Sequence, residues 1–214
     1  MKFLASITAL CCLVLAGALA ASAQISATGE GDFRSARWGQ SPEEVHLQEN
    51  KPPIYEDSTL LIFHDSFEGI PSEVIYFFRE NRLIMGFTHL LAEHEDLNEY
   101  FTDYEKVKAT LGENLGTPDR ENWQTFLPDL ENDRSLWAEA LGIGLIKVET
   151  GWMVGDTGVA LRLSGANFEG HLITIHFSRV DMNAGRSTFK DYYAAVIGVP
   201  NQYFQESPQS GVNF

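Results

Sequence analysis

The stretch TLLIFHDSFEGIPSEVIYFFRENRLIMGFTHLL, Thr59 to Leu91, decides the fold. It holds three runs of strand character: Thr59–Phe67, Glu73–Glu80 and Arg82–Leu91. The breaker-rich EGIPS lies between the first two, and Asn81 separates the last two. In the middle run Val74, Tyr76 and Phe78 alternate with Ile75 and Phe77, the period of an extended chain with side chains on opposite faces. Both sets are apolar, so this strand is expected to be covered on one face and shielded on the other. Links this short join antiparallel neighbours, because a parallel crossover needs a dozen residues or more. The expectation is an antiparallel meander.

A second set of three runs follows later, Leu145–Val154, Val159–Ser164 and His171–Ser178, joined by the turn compositions GDTG and GANFEG. Each set has a helix before it. Ser41 is placed to cap the first, with Pro42 at its first helical position and Glu44 closing a capping box. Asn50 to Pro53 stop this helix, and Val45 and Leu47 are available for burial under Trp38. Thr102 to Glu105 read as a second capping box, opening a helix that runs through Leu115. Its apolar stripe is Tyr104, Val107, Leu111 and Leu115, and Gly116-Thr117-Pro118 end it. Asp119 to Asp133 read as a polar excursion anchored by Trp123 and Phe126. Ser135–Leu141 read as a short helix stopped by Gly142 and Gly144. The order suggests a tandem α-β-β-β pseudo-repeat and a two-layer α+β fold, antiparallel β-meanders backed by helices.

The N-terminal MKFLASITALCCLVLAGALAASAQ has a basic residue, an apolar run from Ile7 to Ala20 and the small-residue cleavage site Ala21-Ser22-Ala23. Residues 1–23 therefore read as a secretory signal peptide, which implies an exported product, periplasmic or secreted. The alternative is a membrane-tethered lipoprotein, but neither Cys11 nor Cys12 follows the small residues that lipoprotein cleavage wants. Cleavage would remove both cysteines, leaving a chain stabilised by its core without disulfides and with no integral membrane span. Residues 24–32 read as a flexible leader, 33–180 as a single domain and 181–214 as a C-terminal extension. Within that extension Phe189–Val196 could form a short helix, and Gln205–Phe214 reads as a loose tail.

The chain carries 15 basic and 30 acidic residues, a formal charge of −15. A field of this sign disfavours nucleic acid and anionic lipid, and suits solubility, cationic partners or loosely held divalent cations.

These residues resemble a known family. FRSARWGQSPEEV, Phe33 to Val45, is similar to the FR-x-x-x-WGMS-x-x-EV opening of a family of small exported bacterial proteins and lipoproteins, with Gln40 in place of Met. FTDYEKVKATLGENLGTP, Phe101 to Pro118, resembles that family's DY-x-K-L-x-x-x-L-x-x-K-YG-x-P. The likeness continues through Glu121–Trp123, Ala140–Gly144 and the W-x-x-x-DT-x-x-x-L-x-L pattern from Trp152 to Leu163. The resemblance implies an exported α+β domain and no activity. A looser likeness, carried by Gly39, Ser41, Glu44, Val45 and Leu115–Pro118, is to the small lipoprotein of the outer-membrane barrel-assembly machine and to tandem-repeat β-lactamase inhibitor domains. It implies a binding or scaffolding role.

Chemistry is sparse. Asp156 lies in a DTG triplet like that of aspartic proteases, but the triplet occurs once, follows Gly155, and is also a hairpin-turn composition. A hydrolase using Asp156 is the enzymatic alternative. Glu93, His94, Glu95 and Asp96 could hold a hard cation loosely, without ligand spacing that defines a site. No nucleophile elbow or phosphate-cradling loop appears, and no cofactor is implied. The tryptophans Trp38, Trp123, Trp137 and Trp152 read as core and loop anchors. If Val159, Leu161 and Leu163 point inward, alternation puts Arg162, Thr174 and His176 on an outward face as a candidate binding patch. The sequence thus points to a non-enzymatic binding or scaffolding module of the cell envelope, with an envelope or extracellular protein as its partner.

Overall fold

A computed structural model describes residues 31–125, 130 and 133–178. Helix α1, Pro42–Glu49, begins as its sequence predicts. Ser41 Oγ accepts from the Glu44 amide at 3.3 Å, and a Glu44 carboxylate oxygen accepts from the Ser41 amide at 2.8 Å. Asn50 ends it in the left-handed region, at φ +51°. Val45 is fully buried, but Leu47, expected to join it, is 80% exposed on the opposite side of the helix.

After α1 come β1 (Tyr55–Glu56), β2 (Leu60–Phe67), β3 (Ile70–Arg79) and β4 (Arg82–Leu90). Helix α2 is Asn98–Leu115, followed by β5 (Arg120–Thr125) and α3 (Trp137–Gly142). β6 (Ile146–Val154), β7 (Thr157–Ala166) and β8 (Glu169–Ser178) complete the described chain. The strands form one antiparallel sheet in the order β1-β2-β3-β4-β8-β7-β6-β5. Two four-stranded meanders thus meet at β4 and β8, so the chain is a mixed α+β fold dominated by strand. Four hairpins close with two-residue turns. Three of these, Glu68-Gly69, Glu80-Asn81 and Asn167-Phe168, hold both residues at positive φ, as type I′ turns require.

Two expectations need correction. α2 starts four residues before Thr102, because the Asp96 carboxylate accepts from the Asn98 amide at 2.9 Å and begins the turn there. Thr102 sits inside the helix with its hydroxyl directed to the Asn98 carbonyl. The stretch read as a polar excursion begins as an edge strand, β5, whose Trp123 packs on Trp137 at 4.4 Å between ring centroids. Phe126, Phe189–Val196, Gln205–Phe214 and the 1–23 leader lie outside the described residues.

The three described α-helices lie on one face of the sheet. α1 buries Val45 against Leu61, Phe63, Val74, Tyr76, Phe78 and Leu83 of the first meander. α2 and α3 bury Tyr104, Val107, Leu111, Trp137 and Leu141 against Val148, Leu161, Leu163 and Leu172 of the second. Gly165 and Gly170, paired across β7 and β8, permit this approach: a side chain at Gly165 would meet the Leu141 carbonyl, and one at Gly170 the Tyr100 ring. The opposite face carries Ile75, Phe77, Met85, Phe87, Ile173 and Ile175, buried within the chain although none of the described helices packs there.

Candidate functional site

The polar groups of the sheet divide between its two faces. On the helix-backed face, Thr88 of β4 stands opposite Thr174 of β8, and His176 lies two residues further along β8. Ser72 of β3 is diagonal to Thr88. Ser72, Thr88, Thr174 and His176 are 0–2% exposed, and their hydroxyls and both imidazole nitrogens have no hydrogen-bond partner. They run along the line where the apolar groups under α1 and under α2 separate. Burial holds the His176 imidazole neutral, its pKa pushed down to about 3. Phe33 reaches this line from the N-terminal arm. Its ring lies on Gly86, where a Cβ would come within 1.9 Å, and its edges meet Tyr76 and His176 at centroid distances of 5.1 and 4.9 Å.

This corrects the expected binding patch. β7 and β8 pair Leu161 with Thr174 and Val159 with His176, so both polar residues share the inward face of those aliphatic side chains. Arg162 pairs with Ile173 and points to the other face, so the three candidates are not one patch.

On the face that carries none of the described helices, the helix-free face, Arg162 meets Glu149 of β6 through its Nε at 2.9 Å and through Nη2. Arg120 of β5 reaches the other oxygen of the same carboxylate. Burial alone would raise the Glu149 pKa, but Arg162, Lys147 and Arg120 outweigh it and hold the carboxyl at about 2. Lys147 is half-buried beside them, and burial together with the two guanidinium groups lowers its amine to about 8 despite Glu149. His89 and His171 lie 6.0 Å apart between ring centroids on the same face. Burial lowers both, His89 to about 4 with a further push from His171. By register and alternation this face also displays Arg79 and Arg82, paired across the β3–β4 hairpin, and Glu73 and Glu169. Among the described residues of this face cations therefore outnumber carboxylates, the reverse of the chain's 15 to 30.

The remaining candidates are dispersed. Asp156 is exposed in the two-residue turn between β6 and β7, with Gly155 at φ +59° in the first turn position. Glu93 and Glu95 are exposed, and Asp96 is occupied at the start of α2. His94 turns away from them to Glu99 at 2.8 Å and Asp103 at 2.7 Å, both on α2. Among the described residues no group of three His, Cys, Asp or Glu side chains is arranged to hold a metal ion, and no described helix is long and apolar enough to cross a membrane.

Two clusters escaped the sequence reading. Arg34 bridges Glu49 of α1 at 3.0 Å and Asp65 of β2 at 2.6 Å, with Lys51 also on Asp65 and the Tyr76 hydroxyl on Glu49. The Phe-Arg pair of the opening motif is thereby accounted for by packing: Phe33 wedges onto Gly86 and Arg34 ties α1 to the sheet. The Arg120–Lys147–Glu149–Arg162 group comes from three strands. Its one local signal is the i, i+2 spacing of Lys147 and Glu149. No family model, curated protein or solved structure matches the chain.

Proposed function

We propose that this is an exported, non-enzymatic binding module whose contact surface is the polar rim of the helix-free sheet face, and whose partner is an envelope or extracellular protein with an acidic segment. The observation that carries the reading is the inverted charge balance of that face, where Arg79, Arg82, Arg120, Lys147 and Arg162 stand among fewer carboxylates. Its apolar centre is closed within the chain, so the rim is what remains for contact. The remaining negative charge of the molecule is no bar, since at physiological salt it is screened beyond about 8 Å. Opposed potentials at a docking face give specificity and faster encounter more than raw affinity. Export rests on the signal-peptide pattern of residues 1–23, and the family resemblance points the same way without adding an activity.

The test uses the full mature chain immobilised against an oligoglutamate peptide and against envelope extract. Binding to both should weaken with added salt. It should fall roughly tenfold or more in a variant combining Arg79→Glu, Arg82→Glu and Lys147→Glu, about 1.4 kcal/mol at least. Retention equal to wild type in that variant, once circular dichroism shows it folded, refutes the reading.

A further inference from the structure

We propose that Thr88, Thr174 and His176 form an internal site that holds a small neutral hydrogen-bonding guest, either ordered water or a hydroxyl-bearing molecule of similar size, with Ser72 lying one strand further off, diagonal to Thr88. The two threonine hydroxyls and two ring nitrogens are buried and unpartnered in the middle of the sheet, whereas buried polar groups in folded proteins are nearly always satisfied. Other polar groups on the same face do find partners. The Tyr104 hydroxyl bonds to Thr150 Oγ1 at 2.6 Å, and Trp38 Nε1 donates to Thr157 Oγ1 at 2.9 Å.

Rearrangement within the group does not remove the need. Thr88 and Thr174 stand directly opposite each other across the ladder, so a change of rotamer would let one hydroxyl donate to the other. That bond still leaves the neutral imidazole with one donor and one acceptor unserved. Tyr76, which meets the same Phe33 ring as His176, has its hydroxyl committed to Glu49. A guest that both donates and accepts, with two to four polar partners, is what the chemistry of this set selects. It must be neutral, because the imidazole is neutral and Phe33, Val74, Leu161 and Leu172 wall the group with apolar surface. The placement also explains why the two apolar groups under the helices stay separate: the polar line runs between them, at the junction of the meanders.

Valine is nearly isosteric with threonine, so Thr88→Val and Thr174→Val test the site without opening space. If a guest is held, each substitution removes one of its bonds, and the melting temperature should fall by about 3 °C or more. The two losses should also be non-additive, because both act through the same guest. If the group is dry, valine instead relieves a desolvated oxygen, and the melting temperature should stay or rise, which overturns the proposal. A high-resolution crystal structure provides the second readout. Density bonded to His176 and to at least one hydroxyl supports the site, and featureless space between them sinks it. Native mass spectrometry separates the sources: a bound mass lost in Thr174→Val identifies a retained molecule, and crystal density without such a mass identifies water.

Discussion

Replacing Glu149 with Gln should lower the stability of the fold by about 3 kcal/mol at neutral pH, as read by urea denaturation. The carboxylate is buried and serves Arg162 and Arg120 directly, with Lys147 alongside. Removing its charge takes away the carboxylate that Arg162 and Arg120 share and that offsets the neighbouring Lys147. The pH dependence carries its own sign. Glu149 falls from an ordinary 4.5 to about 2 in the folded chain, so its contribution is fully present above about 4.5 and is lost as pH drops towards 2. A shift of this size corresponds to about 3 kcal/mol, so the gap between wild type and Glu149→Gln should narrow over that interval. The variant should also push the Lys147 amine further below about 8. A gap independent of pH would show that the carboxylate acts through shape alone.

Phe33→Ala should cost about 4 kcal/mol, at the large end for a core truncation. The ring is fully buried and occupies the place of the absent Gly86 side chain. Gly86→Ala should be comparably damaging in wild type, because its methyl group would lie within 1.9 Å of the ring. In the Phe33→Ala background the same change should cost little, since the space is then vacated. The double-mutant cycle should therefore show a large coupling, the pair costing far less than the sum of the two single changes. Additive costs would mean that the N-terminal arm does not pack on β4.

The parts of this fold that announce themselves are those governed by local periodicity and turn chemistry. Alternation in Glu73–Glu80 assigns Val74 and Tyr76 to one face and Ile75 and Phe77 to the other, and the sheet keeps that division. Ser41 and Glu44 cap α1 because both partners lie within one turn. Matters set by distant partners were not legible. Thr174 and His176 look like outward polar positions until β7 supplies Leu161 and Val159 as their neighbours across the ladder. RENWQT reads as loop because its strand is at the sheet edge and, among its side chains, Trp123 is the one that joins the large apolar group. Thr102 imitates a cap, but the competing carboxylate of Asp96 sits six residues earlier and fixes the start of α2. The Glu149 cluster depends on the register of three strands, which no segment of the sequence encodes by itself.

The claim that the helix-free face is the contact surface is tested most directly by amine labelling of the chain alone and in complex with its captured partner. Lys147, lowered to about 8, should acylate readily at mildly alkaline pH in the free chain. In the complex its modification should fall severalfold, while Lys106 and Lys108 on α2, behind the sheet, keep their free-chain rates. Protection of the α2 lysines with Lys147 unchanged would contradict the account.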